Sequence, residues 1–368
     1  MKIALFGVGQ MGTCIAHLIS EYTDHELITY DKDPITDNNH EHRLFNAYNL
    51  YKKNPLANHE IDIVLSSLPY FCNEAVANLA TAVGIPYFDL GGSVKVTEEI
   101  KEKSLSRTNP VFTDLGLAPG WANIMAEDAF RFFQKIGIVP TEIKMRCGGL
   151  PKFPRGKLID PFRYHTTWSI DGLWNEYVDD CESLYCNEIV PRSSLSAIEE
   201  NIRFDNNEIW GGVLESFLTS GGASHTLELM KERKVFHCSY KTLRYPGHCN
   251  LMRYFLKEKG FSANELVNLF RDPDALDRDI VILDVEAYGY LNKDDINYRR
   301  TLTINADDQF SAMQRATSGG FLAAVFSSMH NSIKGPMNYS HVDTVRFNNW
   351  IDKMEILNPE NEEIDTYV

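Results

Sequence analysis

The feature that most constrains this chain is a run of three glycines near its start, Gly7, Gly9 and Gly12, spaced as G-x-G-x-x-G. They follow a continuous apolar stretch over 3–6, as a strand buried on both faces requires. They open a stretch over 11–22 in which Met11, Ile15, Leu18 and Ile19 recur at helical spacing. Strand, glycine turn and helix in that order predict the first unit of a dinucleotide-binding sheet. Gly7 permits the tight turn, Gly9 lets the backbone approach a pyrophosphate, and Gly12 lets helix and strand pack closely. The helix start, at Gln10 and Met11, offers N–H groups and a partial positive charge to phosphates. Asp31 ends the next apolar segment, 19 residues after Gly12. A carboxylate there accepts hydrogen bonds from a ribose and repels a 2′-phosphate. The expected cofactor is NAD rather than NADP, although the adjoining Lys32 could neutralise a phosphate.

The alternation continues. Strands are expected over 27–30, 61–65, 87–90 and 111–113, and helices over 73–83 and 97–105. Residues 33–58 are polar and read as a loop with an irregular helix. Ser67, Leu68, Pro69, Asp89 and Gly91 lie at carboxyl ends of strands, where ligands bind in open α/β sheets. Their backbones are expected to wall the nicotinamide side of the crevice, unless Asp89 is only a turn acceptor and Gly91 only a loop. Near Gly120 the pattern changes. Residues 143–145 and 166–169 read as antiparallel strands joined by a loop over 151–161. Residues 281–290 and 298–304 read as a hairpin with a loop over 291–297, and 311–330 as a long helix. The fold class is α/β: an N-terminal Rossmann, doubly wound parallel sheet, an α/β substrate domain with a mixed sheet, and a C-terminal helix returning to the first domain. The expected ranges are 1–120, 121–310 (substrate and oligomerisation), 311–358, and an acidic frayed tail over 359–368.

Bulk properties narrow the function. A chain of 368 residues exceeds one ordinary core. A formal net charge of −15 repels phosphate backbones and argues against nucleic acid. No apolar run reaches the ~18 residues that would cross a bilayer. The first residues resemble a short signal peptide only superficially, because the apolar stretch runs straight into the glycines. Seven scattered cysteines, an odd number without paired spacing, suggest reduced thiols in a cytoplasmic protein. No Cys/His cluster has zinc-ligand spacing, so no metal is expected.

Several later segments carry more than packing requires. They are DLGGS at 89–93, GLAPG at 116–120, CGGLP at 147–151, TSGG at 219–222 and YKTLRYPGH at 240–248. In this order, behind the glycine turn, they resemble the saccharopine dehydrogenase-like family, and within it the L-lysine 6-dehydrogenases. The resemblance runs to about residue 325. It implies an N-terminal NAD domain, an α/β substrate domain, homo-oligomers, and oxidation of an amino acid's side-chain amine. For lysine the product is the 6-semialdehyde, which closes to a cyclic imine. Saccharopine-forming relatives usually carry an acid in the linker motif, GLDPG, where this chain has Ala118. That departure favours the lysine 6-dehydrogenase branch.

The chemistry sets its own requirements. Hydride leaves the carbon bearing the amine, and the nitrogen lone pair stabilises the iminium. The amine must therefore lose its proton through desolvation, a nearby cation or a base. The other end of such a substrate is a zwitterion. Arg244 is the first choice for its carboxylate, because a planar guanidinium fits one bidentately. Thr219, Ser220 and the amide of Gly221 are the second, with a helix cap and turn as their plainer reading. For the base, Lys241 serves if burial beside Arg244 depresses its pKa, and His225 or His248 serves with less perturbation. By the family resemblance, Cys147 lies where a strand end approaches the nicotinamide. Trp168 is a candidate wall for the methylene chain. Two other functions fit the same sequence: a saccharopine- or carboxynorspermidine-type reductase joining an amine to an aldehyde, and a non-catalytic NAD-binding protein.

Overall fold

The computed structural model describes residues 1–34, 40–47, 54–57, 60–152, 164–166, 168, 170–205, 209–270, 279–329 and 333–367. The chain forms two compact units. One comprises Met1–Ile124 and Ala316–Ile356, the other Met125–Arg315 and Leu357–Val368. Among the described residues, no helix is long and apolar enough to cross a membrane.

The first unit is built on parallel strands β1 (Lys2–Phe6), β2 (Glu26–Asp31), β3 (Glu41–Leu44), β4 (Ile63–Ser66), β5 (Tyr87–Asp89) and β6 (Pro110–Phe112), with a short strand Gly335–Pro336 at one edge. The spatial order β3-β2-β1-β4-β5-β6 reverses direction between β1 and β4. That reversal opens the crevice in which sheets of this kind bind ligands. Helices α1 (Gln10–Tyr22), α2 (Tyr70–Ala82) and α3 (Val94–Ser104) follow β1, β4 and β5. Apolar residues in near-continuous runs bury both faces of the strands, and Phe6 stacks on Tyr30 at 4.5 Å. The strand β3 lies within 33–58, where no strand was expected. Its four residues, Glu-His-Arg-Leu, have no apolar pattern and are at least partly exposed. What holds it is parallel pairing with β2, reinforced by a hydrogen bond between Thr29 and His42. Residues 35–39, 48–53 and 58–59 of that segment lie outside the described residues. Helix Ala312–Ser328 contributes its later turns to this unit, where Ser318 Oγ donates to the carbonyl of Met11 at 3.2 Å.

The second unit is a mixed sheet, as expected. Its strands are β7 (Glu142–Pro151), β8 (Cys181–Tyr185), β9 (Glu188–Arg192), β10 (Ser196–Arg203), β11 (Val213–Leu218), β12 (His237–Arg244), β13 (Asp279–Leu291) and β14 (Asp294–Asn305), with a C-terminal strand Glu362–Tyr367. Among the described residues β7 and β12 pair in parallel, and the other neighbours on the main path are antiparallel. The hairpin β13–β14 is longer than its apolar alternation suggests. Its two-residue turn has Asn292 and Lys293 both at positive φ, the geometry that matches the twist of adjoining strands. Thr166 and Trp168 lie outside any strand, so the strand expected at 166–169 is not there, and residues 167 and 169 are outside the described set. β7 takes its partners from β12 and β13 instead. Of the expected loop over 151–161, residues 153–161 are likewise outside it. The acidic tail is not frayed. Glu362–Tyr367 pairs with β14, and Glu362 accepts from Arg300 Nε at 2.7 Å. Edge pairing and one ion pair fix this strand, with little apolar burial to signal it.

Alternation along the central strands gives this sheet two chemically different faces. One carries Cys147, Phe217, Tyr240, Thr242 and Arg244 and is covered by α5 (Ile170–Val178), α7 (His248–Arg253) and α8 (Ala263–Phe270), around buried Leu173, Met252 and Phe270. The other carries Lys144, Arg146, Lys241, Asp284 and Glu286, joined in ion pairs.

Candidate functional site

In the first unit the glycine turn has the form its sequence predicts. Gly7 stands at φ +89° and donates its N–H to the carbonyl of Tyr30 at 2.8 Å. A Cβ on Gly12 would lie 2.0 Å from the Gly7 carbonyl oxygen, so only glycine lets α1 sit this close to the turn. A Cβ on Gly9 would meet nothing within 4 Å. Gly9 caps α1 without a side-chain hydrogen bond, at the end where a helix's first amides lack intrahelical acceptors. Gln10 and Met11 are the first two residues of that helix. Asp31 is drawn to the same turn: its Oδ2 accepts from the Val8 N–H at 2.7 Å and its Oδ1 from the Asp33 N–H at 3.1 Å. Lys32 pairs with Asp33 at the surface. The arrangement fits a dinucleotide: open space at Gly9, helix amides behind it, and a preset carboxylate at the end of β2.

Ser67, Leu68 and Pro69 follow β4 beside this turn. The Ser67 hydroxyl donates to the Gly7 carbonyl at 2.7 Å, so it braces the turn, and Pro69 caps α2. Asp89 does not wall the crevice with its side chain, which is buried. Its Oδ1 accepts from the N–H groups of Gly91 and Asp114, at 2.8 and 3.2 Å, and so ties the loop after β5 to the end of β6. Its Oδ2 is buried without a hydrogen-bond partner among the described residues. Asp114, a second buried acid, accepts from Thr97 Oγ1 at 2.8 Å. Burial, and then the neighbouring Asp114, push the Asp89 carboxyl up to about 7.

This has a consequence for stability. A carboxyl whose pKa is raised on folding stabilises the fold fully below its unfolded pKa, about 4, and that contribution is lost as pH rises through the folded value. In calorimetry, the melting temperature of the parent protein is expected to fall between about pH 5 and about pH 8 relative to Asp89→Asn, by a few degrees. Parallel profiles for the two proteins would show that Asp89 does not carry the proton.

In the second unit the most concentrated chemistry surrounds Arg244. Its side chain is 3% exposed. Nε donates to the Tyr177 hydroxyl at 3.0 Å, Nη1 to the Leu243 carbonyl at 2.9 Å, and Nη2 to the Tyr164 hydroxyl at 3.4 Å; the guanidinium also lies over the Tyr164 ring at 4.3 Å. Having accepted from Arg244, the Tyr177 hydroxyl directs its own proton to His248 Nε2, 3.0 Å away. The His248 ring is fully buried between Phe217 and Phe270. Glu176, on α5, brings Oε2 to 3.8 Å from Arg244 Nη2, too far for a hydrogen bond, and that oxygen has no hydrogen-bond partner among the described residues. Burial pushes Glu176 up to about 7 while Arg244 pulls it down. Burial opposes the charge on Arg244, but Tyr164, Tyr177 and Glu176 more than offset it and hold its pKa above the ordinary value.

The other expected residues divide around this cluster. Cys147 is on the same face, but burial, with Glu176 nearby, pushes its thiol up to about 12. Burial thus favours the neutral thiol over the thiolate that a base or nucleophile requires. Thr219 bonds the Thr242 hydroxyl at 2.8 Å, and the Ser220 N–H donates to the carbonyl of Glu176 at 3.1 Å. Gly221, at φ +88°, turns the chain toward α6 (Thr226–Glu232), so TSGG braces α5 against β12. Trp168 is half-buried and donates from Nε1 to the Tyr164 hydroxyl at 3.3 Å. Lys241 is on the opposite face from Arg244, because three residues along a strand reverse the side. It donates to the Ala197 carbonyl at 2.7 Å and pairs with Glu199 at 3.0 Å. Burial lowers its pKa, Glu199 works against that, and neither effect brings it to the Arg244 cluster. His225 sits at the start of α6, bonded to Ser224 Oγ at 3.0 Å; the histidine seated against Arg244's partners is His248.

Sequence reasoning missed Glu176, Tyr177 and Asp114. For Glu176 a signal existed: it stands three residues after Leu173 and directly before Tyr177, both buried, at a position of α5 where an acid is unusual.

Comparisons with known proteins agree with this architecture. The family described as the saccharopine dehydrogenase C-terminal domain matches residues 116–337. Among solved structures, the fold is similar to apo histidine-tagged saccharopine dehydrogenase (L-Glu forming) from Saccharomyces cerevisiae, with 13% identity, a TM-score of 0.77 and 100% of both chains covered. It is also similar to a homospermidine synthase from Legionella pneumophila in complex with NAD, with 13% identity, a TM-score of 0.69, and coverage of 100% of this chain and 91% of that one. At such identity these two likenesses bear on fold alone. The family match is a different matter, since it spans more than half of the sequence and takes in both the linker motif and every residue of the Arg244 cluster: the protein belongs to the saccharopine dehydrogenase C-terminal domain family.

Proposed function

We propose that the protein is an NAD-dependent dehydrogenase that oxidises the side-chain amine of an amino acid, with L-lysine as the first choice. The observation that carries this reading is the buried Arg244. Three of its five N–H groups are engaged by the described residues, and its acidic neighbour stands beyond hydrogen-bond reach. A cation desolvated to this degree, with two donors left, suits a substrate carboxylate. The glycine turn with Asp31 supports a dinucleotide, and the pairing of Lys32 with Asp33 supports NAD over NADP.

When bound, the nicotinamide supplies an acceptor for hydride. The chain's own residues do the rest. Arg244 fixes the carboxylate end, and Tyr177, locked between Arg244 and His248, fixes Arg244. Desolvation of the substrate's side-chain amine would favour its neutral form. The neutral nitrogen donates its lone pair as hydride leaves the adjacent carbon. Water then adds to the iminium carbon and ammonia departs, leaving the semialdehyde, which closes on its own α-amine with loss of water. Ala118, in place of the linker acid, favours this course over saccharopine chemistry.

The test is a screen of the purified protein with NAD or NADP and a panel of basic amino acids, following reduced-cofactor absorbance and ammonia. Lysine is expected to yield both in equal amounts, with NADP at least about tenfold less effective. Oxidation of NADH by an amine and an aldehyde together, with no lysine turnover, would replace this reading by reductive condensation. NAD binding without either reaction would leave a non-catalytic binding protein.

A further inference from the structure

Among the described residues the buried Oε2 of Glu176 has no hydrogen-bond partner, and it takes no part in the chemistry just described. Burying a carboxylate oxygen without a donor costs free energy, and such a group in a native structure calls for an explanation. Its surroundings supply one. The helix α5 is anchored from both sides: the Glu176 carbonyl accepts the Ser220 N–H, and the next residue, Tyr177, is bonded to Arg244 and His248. The side chain between them is therefore held in place next to the guanidinium, 3.8 Å away, and still makes no hydrogen bond to it. Two groups of opposite sign stand side by side, each with capacity unused.

That spacing matches one kind of ligand. An α-amino acid carries its carboxylate and its ammonium on a single carbon, so both charges fall within one small volume. We infer that Glu176 receives the α-ammonium of the substrate while Arg244 receives its α-carboxylate, making the pair a recognition site for an α-amino acid head. This rests on the proposed function for the identity of the whole substrate, but the head site stands without it. An alternative role for Glu176, as the base that deprotonates the reacting amine, is disfavoured by reach. In extended lysine the ε-nitrogen lies roughly 6 Å from the α-carbon, whereas Glu176 adjoins the residue that holds the carboxylate.

Calorimetric titration of the full chain tests this with L-lysine, L-norleucine (head but no side-chain amine) and 6-aminohexanoate (carboxylate and terminal amine but no α-ammonium). The parent protein is expected to bind lysine and norleucine about tenfold to a hundredfold more tightly than 6-aminohexanoate. In Glu176→Gln that preference should collapse, with lysine falling to the level of 6-aminohexanoate and 6-aminohexanoate itself unchanged. A parent protein that binds 6-aminohexanoate as well as lysine overturns the inference, and this comparison needs no variant to fold. Equal loss of both ligands in Glu176→Gln, or loss of turnover with 6-aminohexanoate, overturns it in favour of a structural or basic role. Failure of any α-amino acid to bind also overturns it. Norleucine binding without lysine turnover keeps the head site and removes the dehydrogenase reading. Lysine turnover with the preference unaltered in Glu176→Gln does the reverse.

Discussion

Gly12→Ala is expected to lose nearly all dinucleotide affinity and to melt well below the parent protein. The added Cβ would lie 2.0 Å from the Gly7 carbonyl oxygen and 2.7 Å from Ser67 Oγ. The obstruction at Gly7 is backbone, so no side-chain rotation relieves it. Either α1 moves away from β1 or the turn opens, and both destroy the surface on which a diphosphate is expected to lie. Overpacking of this kind costs about 1–3 kcal/mol, which is enough to lower a melting temperature by several degrees. Gly9→Ala is the informative contrast. Its Cβ would enter open space, so the fold should keep its melting temperature while NAD affinity falls by a factor of about ten or more. Differential scanning calorimetry paired with NAD titration separates the two. If Gly9→Ala binds NAD as the parent protein does, that open space is not where a diphosphate lies.

Arg244→Lys should be equally damaging, in the other unit. The guanidinium makes three hydrogen bonds and a stacking contact with Tyr164, and an ammonium cannot reproduce that planar set. It would also leave the Tyr177–His248 pair without the Nε–H that orients it. Each hydrogen bond lost from a buried charged group costs about 1.5–3 kcal/mol, so kcat/KM for lysine should fall by about two to four orders of magnitude. Lys241→Met provides the control. Lys241 faces the salt-bridge network instead, so its loss should lower stability but leave the pH dependence of kcat as it is in the parent protein. A basic limb that vanishes in Lys241→Met would restore Lys241 as the base and count against the assignment of the two faces.

How much of this was legible beforehand follows from which forces act. The first unit was readable because its strands are buried on both sides and its turn demands glycine, so Ile3–Phe6, Gly7, Gly12 and Asp31 all point the same way. β3 was not, because pairing with β2 and polar side-chain hydrogen bonds, rather than apolar burial, hold a partly exposed Glu-His-Arg-Leu. The C-terminal strand was missed for the same reason. In the candidate site, Arg244 and the TSGG turn could be picked out as unusual chemistry, but the partnership of Glu176, Tyr177 and His248 depends on α5 and α7 meeting over β12. Those residues are separated by some seventy positions in the chain, and no local periodicity encodes that meeting. Lys241 and Arg244 looked like neighbours because they are close in sequence. The two-residue period of a strand sends them apart.

That period has a consequence for how this protein can change. Since β12 alternates between the Arg244 cluster and the salt-bridge network, its reading frame decides which side chains each face receives. Deleting or inserting one residue upstream of Thr242 within the strand would turn every side chain beyond that point over, lodging an ammonium where a hydroxyl belongs. The Arg244 face can therefore be remodelled by substitution, or by shortening or lengthening the strand two residues at a time, while a single-residue shift exchanges one face for the other.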